Sequence, residues 1–365
     1  MQEQVNTYDE RRPAMYATRP RTDHATSHLV CAAVTAPSLH NSQPWLFTGR
    51  DRGLDLYADL TRRLPLADPV GREMVISCGG ALFNARLSMR HLGFQPVVRP
   101  FPDPWSPAFV ARVAWGPYDG PSDGEELMHH AMRQRHTWHG PFRAASLPQP
   151  LVDELRDHAR AEGTELYALG LRGEERGLAE LVREAERAHR ADPAHVAEVN
   201  RWTRASHSGR LDGVPFDVNP WHPDCTSLAG RDFLGLTRMM PDPPEVWPAR
   251  TGTVVVLTTS RDTRGDWLRA GQALQRILLY AAAHRVSAAF HTQPLEIPPL
   301  RKQIRRTITA GQYPQMILRL GFAGPGRPTP RRPVAEVLSA DRTWRHVSRP
   351  LNRRTTWSPA SAQPS

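Results

Sequence analysis

Ala36-Pro37-Ser38-Leu39-His40-Asn41-Ser42-Gln43-Pro44-Trp45-Leu46-Phe47 is the stretch that decides how this 365-residue chain folds. Upstream, residues 29–35 (Leu-Val-Cys-Ala-Ala-Val-Thr) read as helix. Pro37, with its fixed φ and no amide hydrogen, stops that helix. Ser38, Asn41 and Gln43 then set small donors and acceptors on a tight turn, and Trp45-Leu46-Phe47 continues as an extended apolar run. His40 either lines a site formed by the turn or merely caps it; the residues leave both open.

A second stretch, Arg135-His136-Thr137-Trp138-His139-Gly140-Pro141-Phe142, gathers a guanidinium, a hydroxyl and two imidazoles. A guanidinium is a rigid fork for phosphate oxygens, and a hydroxyl adds a further short bond. A helix is expected before it, because Ser122 and Glu125 have capping-box spacing and Leu127, Met128 and Ala131 form an apolar stripe. Residues 151–155 start another helix behind it. Taken alone, the stretch could equally be a polar helix end.

Together the two stretches resemble the nitroreductase superfamily: A-P-S-x-x-N-x-Q-P-W-x-F for the first and R-R-S-x-R-x-F for the second. The resemblance implies an α+β, nitroreductase-like fold that holds FMN between two related halves. Pro37, Ser38, His40, Asn41 and Gln43 would approach the flavin from one half. Arg135, His136, Thr137 and His139 would grip its phosphate from the other. Gln293, Pro294 and Leu295, in Thr-Gln-Pro-Leu-Glu, match the segment whose backbone lies against the flavin ring. Arg331 and Arg332 occupy the place of a C-terminal basic phosphate contact, unless they belong to a solvated tail. His136 and His139 stand where the family has arginines, so either FMN binds more weakly or Arg143 or Arg331 supplies the lost charge; if a histidine holds the phosphate, affinity is expected to decline above pH 7 as imidazolium charge is lost.

Each stretch occurs once, which implies one flavin site per chain rather than the two of a homodimer. Gly79, Ala81, Leu82 and Leu87 recur with one offset as Gly271, Ala273, Leu274 and Leu279, each set in a long helical pattern. Small residues at those places suit two helices packed closely at a central interface. The pattern is similar to the fused, Acg-type FMN-binding proteins of actinobacteria, over about residues 25–340. It implies a first half at 23–120 and a second at 121–340, with termini at 1–22 and 341–365 outside the folded part. Residues 190–250, with Trp202, Trp221 and Trp247 among many Pro and Gly, are expected to form a lid.

Composition bounds the rest. No apolar run reaches the roughly 18 residues of a membrane span, and an apolar signal segment is lacking at the N-terminus. Cys31, Cys78 and Cys225 are odd in number and lack metal-ligand spacing, which suits a reducing cytoplasm and no metal. His129-His130 reads as an exposed helix flank, and Cys225 as the one exposed thiol. The net charge of +10 owes much to arginines after residue 323, scattered among Pro, Ser and Thr; nucleic acid is not an expected partner. No H-E-x-x-H, Walker loop, G-x-S-x-G or strand-borne G-x-G-x-x-G occurs. The resemblance then leaves three functions: an oxidoreductase taking hydride from NAD(P)H to a small aromatic or quinone-like acceptor, a flavin-dependent dehydrogenase of a biosynthetic pathway, or an FMN-sequestering protein under a closed lid. A monomeric pseudo-dimer or weak oligomer is expected, with no catalytic side chain assigned.

Overall fold

The computed structural model describes residues 22–339, apart from 141, 144, 171, 206–207, 216–227, 229–230, 232, 234–251, 325 and 327–328. The two termini, Trp221, Trp247, Cys225 and much of the expected lid therefore lie outside the described residues.

The first helix, α1 (Thr22–Ala33), ends before Pro37 as its sequence dictates. β1 (Trp45–Arg50) and β2 (Gly53–Ala58) then pair antiparallel from Trp45↔Ala58 to Arg50↔Gly53. α2 (Arg72–His91) leads into β3 (Phe94–Pro100) and β4 (Phe109–Tyr118), which add to the same sheet. Trp45, Phe47, Leu54, Leu56 and Val110 face α1 and α2 in one apolar core.

α3 (Asp123–Ala131) starts at the capping box, both halves of which form: Ser122 accepts from the Glu125 amide and Glu125 from the Ser122 amide. Met128 and Ala131 are buried, but Leu127 is 42% exposed, so the buried stripe is narrower than its sequence suggests. α4 (Gln149–Arg160), β5 (Glu165–Ala168), α5 (Arg172–Ala191), α6 (Pro193–Arg201) and the short β6 (Thr203–Arg204) and β7 (Val214–Pro215) follow. β8 (Thr253–Thr259), α7 (Arg264–Ala283), β9 (Val286–Phe290), α8 (Pro298–Thr307) and β10 (Tyr313–Phe322) complete a second sheet in the order β5-β8-β10-β9, antiparallel throughout.

The two sheets are joined through α2 and α7. A Cβ on Gly79 would sit 2.5 Å from the Leu268 carbonyl oxygen and 2.9 Å from the Gly271 Cα, and one on Gly271 would strike the Ile76 carbonyl. The helices therefore cross with their backbones touching, which only glycine permits. Ala81, Leu82 and Leu87 and their counterparts Ala273, Leu274 and Leu279 are all buried around this crossing. Gln275 donates to Asn84 at 2.8 Å across it.

The last described residues leave the second sheet. After α9 (Val334–Val337), β11 (Leu338–Ser339) pairs parallel with β1, Phe47 opposite Leu338. Residues 334–339 thus belong structurally with the first sheet, although they fall in the half expected to run to 340. The open edge of β1 supplies the reason: its unpaired amides and carbonyls need a strand, and β11 provides it. Among the described residues no helix is long and apolar enough to cross a membrane.

Candidate functional site

The turn that opens the sequence folds into a single-turn 3-10 helix, Leu39–Asn41. His40, Asn41 and Gln43 all hold positive φ, near 50°. Such backbone costs about 1–2 kcal/mol per residue and persists only where surroundings over-determine it. Here they do. The Ser38 hydroxyl accepts from the Gln43 amide at 2.9 Å. The Asn41 amide group donates to the carbonyls of Gly213 (3.1 Å) and Pro330 (3.2 Å), and Gln43 donates to the Leu211 carbonyl (2.8 Å). The turn is pinned between residues 211–213 and the C-terminal segment 330–332.

Two guanidiniums meet beside it. Arg135, four residues beyond α3, donates to the Thr35 carbonyl at 3.2 Å, and Arg331 donates to the same oxygen at 3.3 Å. Asn41 orients Arg331 by accepting from it at 3.1 Å. The Nε atoms of Arg135 and Arg331 are buried without a hydrogen-bond partner among the described residues. Burial pulls Arg135 down to about 10. Burial, and then the charge of Arg135, pull Arg331 down to about 9. Two like charges packed out of water with unused donors are unfavourable until an anion joins them. The pair is assembled from the segments that follow α1, α3 and β10, and its donors suit an anion.

A second end of the cleft is almost without net charge. His40 is 4% exposed, both ring nitrogens lack a partner among the described residues, and burial lowers its pKa well below the usual value. Phe233 meets the His40 ring edge-on at 5.6 Å and the His139 ring at 6.2 Å. His139 is pushed down to about 4, by burial first and then by His291 and His136. Gln293, Pro294 and Leu295 form a buried 3-10 turn, in which the Gln293 side-chain oxygen has no partner among the described residues. Thr137 lies along β9 in a parallel bridge to Ala288, and the Trp138 amide donates to the Ala288 carbonyl at 2.8 Å.

Described residues between α5 and β8 contact both halves near this end. Glu198 accepts from the Leu66 and Ala67 amides at 3.2 and 2.9 Å, and Trp202 packs with Leu64 and Ala67. Arg62 bridges Asp212 and the Ser42 carbonyl, both at 2.9 Å. Arg231 forms a buried two-bond ion pair with Glu296, directly after the Gln293 turn. Leu228 packs with Leu178 and Leu295.

The expected site residues thus divide. Ser38, Asn41, Gln43, Arg135 and Arg331 are tied together around the turn and the Thr35 carbonyl, His40 and His139 meet at Phe233, Thr137 lies along β9, and Gln293, Pro294 and Leu295 form the buried turn beside the Arg231–Glu296 pair. Arg332 does not share the guanidinium pair: its side chain is tied to Glu336 (3.3 Å), Asp59 (3.8 Å) and the Gln43 carbonyl (3.4 Å). Its carboxylate neighbours hold it as a strut, and its amide donates to Gln43 at 2.7 Å. His136 is held by the Gln134 carbonyl at 3.0 Å. Burial pushes His139 down to about 4, and of the two arginines that could supply charge in its place, Arg331 is the one beside Arg135. Sequence reasoning missed the Thr35 carbonyl on which the guanidiniums converge, and Phe233 and Arg231 of the covering segment. Only the aromatic content of residues 190–250 hinted at the latter.

Fold and site define a class: two α+β units joined by a pair of long helices, with an anion site built from both. No family model matches the chain. Individual relatives do. The protein named "Putative NAD(P)H nitroreductase Rv3131" in Mycobacterium tuberculosis (strain ATCC 25618 / H37Rv) is 30% identical over 336 residues, covering 90% of this chain and 95% of the relative. In the same organism, "Putative NAD(P)H nitroreductase acg" is 30% identical over 318 residues (84% and 92%). The chain belongs to the nitroreductase family, within its Acg-type group. Among solved structures, a nitroreductase with bound FMN from Bacteroides fragilis NCTC 9343 aligns with 55% of this chain and 90% of its own, at 12% identity and a TM-score of 0.34.

Proposed function

We propose that the chain holds one FMN in the cleft between its two sheets and works as a nitroreductase-type oxidoreductase, taking hydride from NAD(P)H to a small aromatic or quinone-like acceptor. The observation that carries this reading is the buried Arg135–Arg331 pair converging on Thr35. The donor set fits a phosphate: two unused Nε–H groups and two planar forks, with no carboxylate among the charges that act on either arginine. A bound flavin mononucleotide supplies the hydride chemistry. The chain's own residues do the rest. Arg135 and Arg331 hold the phosphate, and Asn41 holds Arg331. The Gln293 turn lies where the ring system would rest, with its free side-chain oxygen available to an N–H donor. Phe233 keeps water from that end, and the neutral His40 offers either a donor or an acceptor, according to tautomer.

Each motif being present once supports one site and a pseudo-dimeric monomer. Purified protein should be yellow, with about one FMN per chain. Two FMN per chain, or none after reconstitution, would reject the proposal.

A second reading, FMN held without turnover, is favoured by the docked covering segment: Glu198, Trp202, Arg62 and Arg231 all hold it down. Anaerobic stopped-flow mixing with NADPH separates the two. Rapid bleaching of bound flavin supports the oxidoreductase; absence of bleaching in wild type, regained in Phe233→Ala, supports sequestration.

A further inference from the structure

Away from the cleft, the ends of α2 and α3 bring imidazoles around a carboxylate. Glu126 and His129 lie one turn apart on α3, a spacing that points both side chains the same way. His91, in the last turn of α2, faces them: its Nδ1 is 2.9 Å from the nearer Glu126 oxygen, and its ring stacks on His129 with centroids 3.8 Å apart. One ligand atom from each of His91, Glu126 and His129 lies within 4.8 Å of the others. His28, on α1, brings a fourth donor, its ring 6.3 Å from His91 and 6.4 Å from His129. His129 is therefore half-buried in a packed cluster, whereas His130 beside it is the exposed residue the sequence suggests.

We propose that His91, Glu126 and His129, with His28 as a fourth ligand, form a binding site for one divalent transition-metal ion such as Zn²⁺. The donor set suits such an ion: imidazole nitrogens and one carboxylate are its ordinary ligands, at about 2.0–2.2 Å. Bond lengths of that size put tetrahedral donors about 3.4 Å apart, so the cluster closes on an ion by side-chain rotation. The charges acting on His129 are His91, Glu126, His28 and His130, none of them a guanidinium. Burial first, then His91, His28 and His130, push His129 down to about 4 against the opposing Glu126 carboxylate.

A comparison within the molecule sharpens the choice. His189, His195 and Glu296 satisfy the same distance criterion. There, however, Arg231 occupies Glu296 with a buried guanidinium, and a dication would meet a desolvated cation. The α1–α2–α3 cluster has no such competitor, and an ion there would tie three helices whose ends lie in different parts of the chain. The inference stands apart from the flavin reading, because none of its residues touches the cleft.

The test is Zn²⁺ titrated into the full, tag-free, chelator-stripped protein in competition with a chromophoric chelator. One ion per chain at sub-micromolar affinity is expected, with a rise in Tm on adding Zn²⁺. His91→Ala and His129→Ala should each lower affinity by at least the ~10–100-fold that losing even an outer-shell partner costs. His28→Ala should cost less, and Cys31→Ser nothing. Co²⁺ in place of Zn²⁺ should give the visible bands of a four-coordinate nitrogen and oxygen site, and a thiolate charge-transfer band would overturn the assignment. Binding weaker than about 100 μM (~5 kcal/mol) overturns it too. So does binding that survives the double variant His91→Ala/His129→Ala, or is lost in His195→Ala.

Discussion

The two ends of the cleft treat charge in opposite ways. At one end, Arg135 and Arg331 are crowded together on the Thr35 carbonyl with no acid to offset them. At the other, His40, His139, His189 and His195 are all driven below the ordinary histidine range by burial, and Phe233 sits among two of them. Both ends are rich in basic residues, yet at the second the guanidinium, Arg231, is paired with Glu296, whereas the first has two with no acid beside them. A guanidinium keeps its proton through burial, whereas an imidazole gives it up, so the same desolvation concentrates charge at one end and erases it at the other. The cleft would thus receive an elongated ligand with a phosphate at one tip in a single direction.

The largest effect expected from breaking this contrast is loss of the cationic end. Arg135→Ala and Arg331→Ala should each weaken FMN binding by roughly 10–100-fold, from about 1.5–3 kcal/mol per charge-assisted bond. Arg332→Ala should change affinity far less, since that side chain is a strut. Equal losses for all three in a fluorescence titration would show the pair is not the phosphate site. Making the neutral end cationic is the converse experiment. His139→Arg forces a permanent charge into a buried place beside His136 and His291, and should lower stability by roughly 3 kcal/mol or more. Thermal unfolding of the variant at wild-type stability would contradict the burial argument.

A smaller change follows from Asn41→Ala, which leaves both arginines but removes the acceptor that orients Arg331. Loss of one such bond, about 0.5–1.5 kcal/mol, predicts a ~2–12-fold weaker flavin affinity, with secondary structure unchanged by circular dichroism. The smallest effect is on the pH profile. FMN affinity should hold from pH 7 to about 8 and fall towards pH 9 and above, as Arg331, at about 9, and then Arg135, at about 10, lose charge, while His139, at about 4, has none to lose there. A decline that begins already at pH 7, and is lost in His139→Gln, would show instead that a phosphate-bound imidazolium carries it. Stability behaves differently. With folded values near 4, 3 and 4 for His139, His189 and His195, the unfolded chain binds protons that the fold refuses. Stability should therefore be constant above the unfolded histidine range and fall as pH drops from about 6.5 towards 4. Tm measured across that window, in wild type and in His139→Gln, should show a shallower fall in the variant.

Much of the frame was legible because its causes are local. Pro37 stops α1, Ser122 and Glu125 cap α3, and the recurring Gly79 and Gly271 mark the one place where α2 and α7 can touch. Arg135 and Arg331 were both named as phosphate ligands on resemblance, but their convergence on one carbonyl joins three distant parts of the chain. No spacing in the sequence encodes that. The neutrality of His139 was hidden for a related reason: a histidine's charge depends on how much water the finished fold leaves around it. Arg332 looked the equal of Arg331 because adjacent residues are indistinguishable until the backbone turns one to the cleft and the other to Glu336 and Asp59.

The return of β11 to β1 sets the order in which the molecule can be completed. Phe47 pairs with Leu338, so the first sheet cannot be finished until almost every described residue has been synthesised. Until then β1 presents a bare edge, and the apolar residues that Val334 and Val337 later cover stay open to other chains. Contacts this far apart along the chain slow folding, because a long loop must close before they reward it. Among the described residues, the nascent protein is thus at its most vulnerable late, before α9 and β11 have been made.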